Sequence, residues 1–211
     1  MSKNDFKKCV ILYVEGQTEE EFYQKVKAYM RTKLPTAKFN VDKFDIVCTK
    51  SINRFKHKLL AKFQNEVMSK YRKKDEVTVV LCYDSDGYEY GTHPIVDKDK
   101  LEDELKKAGA KKVIRLVADK TIEDFIMIDK KGVLKFLGLP LTTAIKGNNG
   151  LEQIQYLFKK KNKTYFKGTR VEGLLEALDF NLICSKLCSN LSLLCYEVGI
   201  DCPKVKDIMK S

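Results

Sequence analysis

Three short apolar runs in this sequence lead into acidic residues. CVILYVEG (9–16) ends at Glu15, VTVVLCYDSDG (77–87) carries Asp84 and Asp86, and KVIRLV (112–117) is followed by Asp119, Glu123 and Asp124. Continuous apolar runs of this length read as strands buried on both faces. In an open parallel sheet the strand C-termini share one edge, where ligands bind. Glu15 is therefore expected to meet Asp84 and Asp86 in space although about 70 residues separate them. Converging carboxylates repel one another unless a cation lies between them. Mg²⁺, with Mn²⁺ as its substitute, is the natural partner, because a hard ion takes oxygen ligands and is commonly held by one or two carboxylates, water and phosphate. Gly16 and Gly87 are expected to give the chain its sharp turns behind the acids.

The elements that must position these acids follow from patterning. Thr18 is a candidate cap for a helix with Glu19, Glu20 and Glu21 at its positive end. Phe22, Val26 and Met30, with Tyr29, lay an apolar stripe along it. A strand is expected over about 39–48, then a long basic helix from Ser51 to about Arg72 with Phe55, Leu59, Phe63 and Val67 inward. A polar helix over about 97–108 precedes the 112–117 strand. Strands alternating with helices predict an α/β fold with a mainly parallel sheet flanked by helices over 1–125. From 126 to 211 the pattern is helical (VLKFLGL, LEQIQYLF, VEGLLEAL, LICSKLCSNLSLLCYEV), predicting a helical C-terminal region packed on the sheet.

The net charge of +11 is unevenly placed. Residues 50–74 hold nine basic residues against Glu66, and 146–170 hold seven against Glu152, so the rest of the chain sums to −3. Two basic patches on a slightly acidic body suggest a polyanionic partner, DNA or RNA. Candidate phosphate contacts are Lys56, Lys62, Lys120, Lys146, Lys159, Lys160, Lys161, Lys163, Lys167 and Arg170. KKKNKTYFKG (159–168) interleaves Tyr165 and Phe166 with lysine, as a base-stacking single-strand binder does and as a surface hairpin also does. With 44% apolar residues the chain is not disordered. No run is long enough to span a membrane and MSKNDFKK is no signal peptide, so a soluble, cytoplasmic protein is expected. Of seven cysteines, Cys9, Cys48 and Cys82 fall in strands, while Cys184, Cys188, Cys195 and Cys202 have no CxxC spacing, which favours buried reduced thiols over zinc or disulfides. His57 and His93 read as surface residues. Leu182, Leu187, Leu191 and Leu194 suit a dimer contact as well as a core, and the oligomeric state is not readable.

An apolar strand ending in Glu-Gly, followed later by a strand ending in Asp-x-Asp, resembles the TOPRIM domain of topoisomerases, primases and OLD-family nucleases. The resemblance covers 1–125, and VEGQTEEEFY resembles the EGxTE start of OLD-like and RloB-like phage-defence proteins. It implies Glu15 as general acid/base or metal ligand, Asp84 and Asp86 as the metal-binding pair, and Glu123 with Asp124 as further acids for a second ion. The implied activity is Mg²⁺-dependent phosphodiester hydrolysis, since neither a transesterifying tyrosine domain nor a primase zinc module is present. DSDG is also similar to the motifs of metal-dependent phosphatases and nucleotide-sugar glycosyltransferases, neither of which accounts for Glu15. A further alternative is a catalytically silent nucleic-acid-binding subunit, or one serving a partner ATPase. Without a Walker A motif here, that ATPase would be a separate polypeptide.

Overall fold

A computed structural model describes residues 7–36, 38–49, 55–71, 75–85, 97–118 and 121–201, with backbone alone for 55–57. Asp86, Gly87, His93, Asp119, Lys120 and Cys202 lie outside these residues, as do the side chains of Lys56 and His57 and the expected helix cap Ser51.

The protein is α/β, built on one all-parallel sheet of β1 (Lys8–Val14), β2 (Lys43–Cys48), β3 (Glu76–Asp84) and β4 (Lys112–Ala118) in the order β2-β1-β3-β4. From Cys9 to Val14 every β1 residue is buried, because helices cover both faces of the sheet. Val10, Leu12 and Val14, with Val80 and Cys82, face one core, while Cys9, Ile11 and Tyr13, with Val79 and Leu81, face the other. Strand alternation therefore divides the molecule into three layers.

On the first face lie α1 (Gln17–Thr32) and the C-terminal helices α4 (Ile122–Ile126), α5 (Lys130–Phe136), α6 (Gly150–Lys159), α7 (Phe180–Lys186) and α8 (Cys188–Glu197). Phe22 of α1 anchors this layer, with ring centroids 5.5 Å from Tyr23, 6.0 Å from Phe125 and 5.4 Å from Phe180. The second face is covered by α2 (Phe55–Lys62) and α3 (Lys98–Lys107), through Leu59, Phe63, Leu101 and Leu105. Leu187, Leu191 and Leu194 belong to the first core, whereas Leu182 is exposed. Among the described residues no helix is long and apolar enough to cross a membrane.

Several local expectations are corrected. Gly16, not Thr18, occupies the N-cap of α1; Thr18 lies inside the helix and its hydroxyl donates to the Thr169 carbonyl at 3.2 Å. Gly16 is extended (φ −130°, ψ 177°), so its need is space rather than turning freedom. A Cβ there would stand 2.7 Å from Glu19 Oε2 and 3.4 Å from the Gly168 carbonyl. The basic helix does not run as one α-helix: after Lys62 it widens into a π turn over Phe63–Val67 and tightens into a 3₁₀ turn over Met68–Lys70. Strand β2 begins at Lys43, later than 39, and VEGLLEAL forms only a 3₁₀ turn at Leu175–Ala177.

Candidate functional site

Strand order reverses direction between β1 and β3, since β2 lies beyond β1 on one side and β4 beyond β3 on the other. The crevice outside the C-termini at such a switch is where open α/β sheets bind ligands. Glu15 immediately follows β1 and Asp84 closes β3. Pairing of Tyr13 with Leu81 sets these two strand ends side by side.

Asp84 is almost fully buried, and its Oδ2 receives Lys167 Nζ at 3.0 Å. Two more acids stand close by. Glu19, in the first turn of α1, is 7% exposed, and Glu123, in α4, is 0% exposed. The Tyr165 hydroxyl donates to Glu123 Oε1 at 2.9 Å. Glu19 Oε2 and Glu123 Oε2 are buried and meet no hydrogen-bond donor among the described residues.

Electrostatics tie these groups into one unit. The Glu19 carboxyl is raised from 4.5 to about 7, chiefly by burial; a hydrogen bond from its own backbone amide opposes this, the charges of Asp84 and Glu123 add to it, and Lys167 works against them. Burial together with Glu123 raises the Tyr165 phenol, which therefore stays a neutral donor. Burial dominates the raised Cys82 thiol, to which Glu19 and Glu15 also contribute. Asp84, Glu19, Glu123 and Lys167 thus share one electrostatic environment at the sheet edge, and Glu15 lies at its margin.

Asp124 is placed differently from Glu123. One of its oxygens accepts the Thr121 amide at 2.8 Å and the other accepts the Gly150 amide at 2.6 Å, so it caps α4 and fastens α6 to it. Gly150 is required by this contact, because a Cβ there would lie 2.3 Å from the Asp124 nitrogen.

The basic residues divide as well. Lys146, Lys159, Lys160, Lys161, Lys163 and Arg170 are exposed, while Lys62 donates to the Cys48 carbonyl at 3.0 Å at the C-terminal end of β2. Arg170 also pairs with Glu21 at 3.2 Å. Tyr165 is buried against Phe158 and Glu123, which withdraws it from base stacking; Phe166 is 65% exposed. Cys9, Cys48, Cys82 and Cys184 are buried thiols, and none forms a disulfide among the described residues.

From sequence Glu19 reads only as a helix-start acid and Tyr165 only as a base-stacking ring, neither as a member of the acid site. The signal for Glu19 was its phase: positions 19, 22, 26 and 30 form one buried stripe, so its carboxylate points inward with Phe22, Val26 and Met30. For Tyr165 no local signal exists, because its partner lies 42 positions away.

Chemically the donor set is all oxygen, which fits a hard cation. The two buried carboxylate oxygens without donors fit one too. Among the described residues no three His, Cys, Asp or Glu side chains gather at metal-ligand geometry, and Asp86 lies outside them. A Mg²⁺ ion needs only one or two protein carboxylates. No protein-family model, curated protein or solved structure matches this chain.

Proposed function

We infer that this chain is a cytoplasmic, metal-dependent nuclease of the TOPRIM type, hydrolysing phosphodiester bonds of DNA or RNA, with phage defence as a fitting role. One observation carries the reading: buried Asp84, Glu19 and Glu123 share the ligand-binding edge of a parallel sheet at its switch point, beside Glu15. Basic segments approach that edge from both layers. Lys62 reaches the end of β2 from one, and 159–170 delivers Lys167 to Asp84 from the other.

Asp84, with Asp86 two residues on, and the buried acids would hold Mg²⁺ or Mn²⁺. Such an ion supplies Lewis-acid stabilisation of phosphate charge and eases deprotonation of an attacking water. Glu15, at the less buried margin, is placed to take that proton, and the exposed lysines of 159–163 would track the phosphate backbone.

Purified protein with Mg²⁺ or Mn²⁺ is expected to cleave DNA or RNA. Asp84→Asn and Glu15→Gln are each expected to lower the rate by about 10²–10⁴-fold, with unchanged circular dichroism. Undiminished cleavage in both variants would refute the assignment.

A second reading has its own observation. The Lys167–Asp84 pair lets the acid cluster be partly neutralised from within, as suits a binding subunit that does not cut or that serves a separate ATPase. That reading expects no cleavage, and salt-sensitive nucleic-acid binding lost on neutralising Lys159, Lys160 and Lys161.

A further inference from the structure

The acids and the lysine of this site are held in different ways. Asp84 is the last residue of a central strand and Glu123 is pinned by Tyr165, so both carboxylates are fixed by the scaffold. Lys167 comes from the loop between α6 and the 3₁₀ turn, on a four-carbon stem 38% exposed. Beside it, Gly168 takes φ +74° with open space where a Cβ would be, and Phe166 on the other side is exposed. The anionic wall is therefore rigid, while its cation can leave by side-chain rotation alone.

The geometry points to Lys167 as a built-in counter-ion that occupies the acid cluster when no divalent cation is bound and is displaced by one. This rests on the reading of the acid cluster as a metal site. One ammonium pairs with Asp84 and acts on the charge of Glu19, while Glu19 and Glu123 each keep a buried oxygen without a donor among the described residues. A divalent ion brings twice the charge to the same oxygens. It would release Lys167 toward the exposed basic loop 159–163, where an arriving phosphate meets it. Metal loading and polyanion binding are then coupled through one side chain.

The test is isothermal titration of the full chain with Mn²⁺ alone. Lys167→Met removes the competitor and is expected to bind Mn²⁺ about ten-fold more tightly than wild type or Lys167→Arg. Asp84→Asn combined with Lys167→Met is expected to abolish that binding. Equal or weaker binding by Lys167→Met, with wild type binding normally, overturns the counter-ion role and leaves the metal site standing. No Mn²⁺ binding by any variant overturns the metal reading itself, and with it the role of Lys167. Persistent tight binding in the double variant puts the ion elsewhere and overturns both. If Lys167→Met melts too low to titrate, the Mn²⁺-induced rise in its melting temperature gives the same comparison, expected to exceed that of wild type.

Discussion

Glu19 is the residue whose protonation the fold controls most visibly. Its folded pKa, about 7, lies above the ordinary 4.5, so between those values the folded chain keeps a proton that the unfolded chain releases. The resulting stabilisation is complete below about 4.5 and is lost as pH rises through about 7. The groups facing it are Asp84 and Glu123, which favour the proton, and Lys167, which opposes it. Glu19→Gln mimics the protonated form. In metal-free buffer it should melt close to wild type at pH 4 and exceed it at pH 8 by up to about 3 kcal/mol. An unchanged difference between the two pH values would refute this. At this scale the sequence disclosed half of the site. Glu15 and Asp84 were readable because each follows an apolar strand. Glu123 also follows an apolar strand, but its role as a further ligand came only through a family resemblance, and its neighbour Asp124 turned out to be committed to backbone amides. Glu19 was masked by a competing explanation, since acids at a helix start also arise from the helix dipole alone.

Elements position these residues through a few close approaches. The start of α6 lies against α4 with no room for a side chain at Gly150. Gly150→Ala should therefore push α6 off α4, lowering stability by about 1–3 kcal/mol in a urea melt. It should also disturb Glu123, so cleavage ought to fall more than the loss of stability explains; a neutral effect on both would contradict the packing. The strands were legible because parallel strands buried on both faces demand near-continuous apolar runs, which β1 and β3 supply, while the edge strand β4 keeps an apolar pattern broken only by Arg115. The departures are local and physical. Thr18 is not the cap because the helix begins one residue before it, at Gln17, and its hydroxyl instead ties α1 to the Thr169 carbonyl. VEGLLEAL has helical periodicity, yet its glycine, Gly173, sits at φ +78° and confines regular structure to one short turn.

For the whole molecule, the division into 1–125 and 126–211 describes sequence patterning more than independent parts. Leu174, Leu175, Ile183, Leu187, Leu191, Leu194 and Val198 share one core with α1 and the sheet. Their burial contributes roughly 10–20 kcal/mol at about 1.5–3 kcal/mol per side chain, an upper bound. Net domain stabilities are about 5–15 kcal/mol, so the loss would not be survived. A fragment ending at residue 125 should lack a cooperative melt and elute as aggregate from a sizing column; a monomeric, cooperatively folded fragment would disprove the shared core.

The pair between Asp84 and Lys167 also has a meaning in time. On the ribosome, Asp84 emerges long before Lys167 is made, a lag on the order of ten seconds at ~5–20 residues per second. Throughout that interval Asp84 lacks its lysine partner, and Glu123, made midway through it, still waits for Tyr165. The pair can form only once the C-terminal segment has been made, so the acid edge of the sheet acquires its own counter-charge late in synthesis.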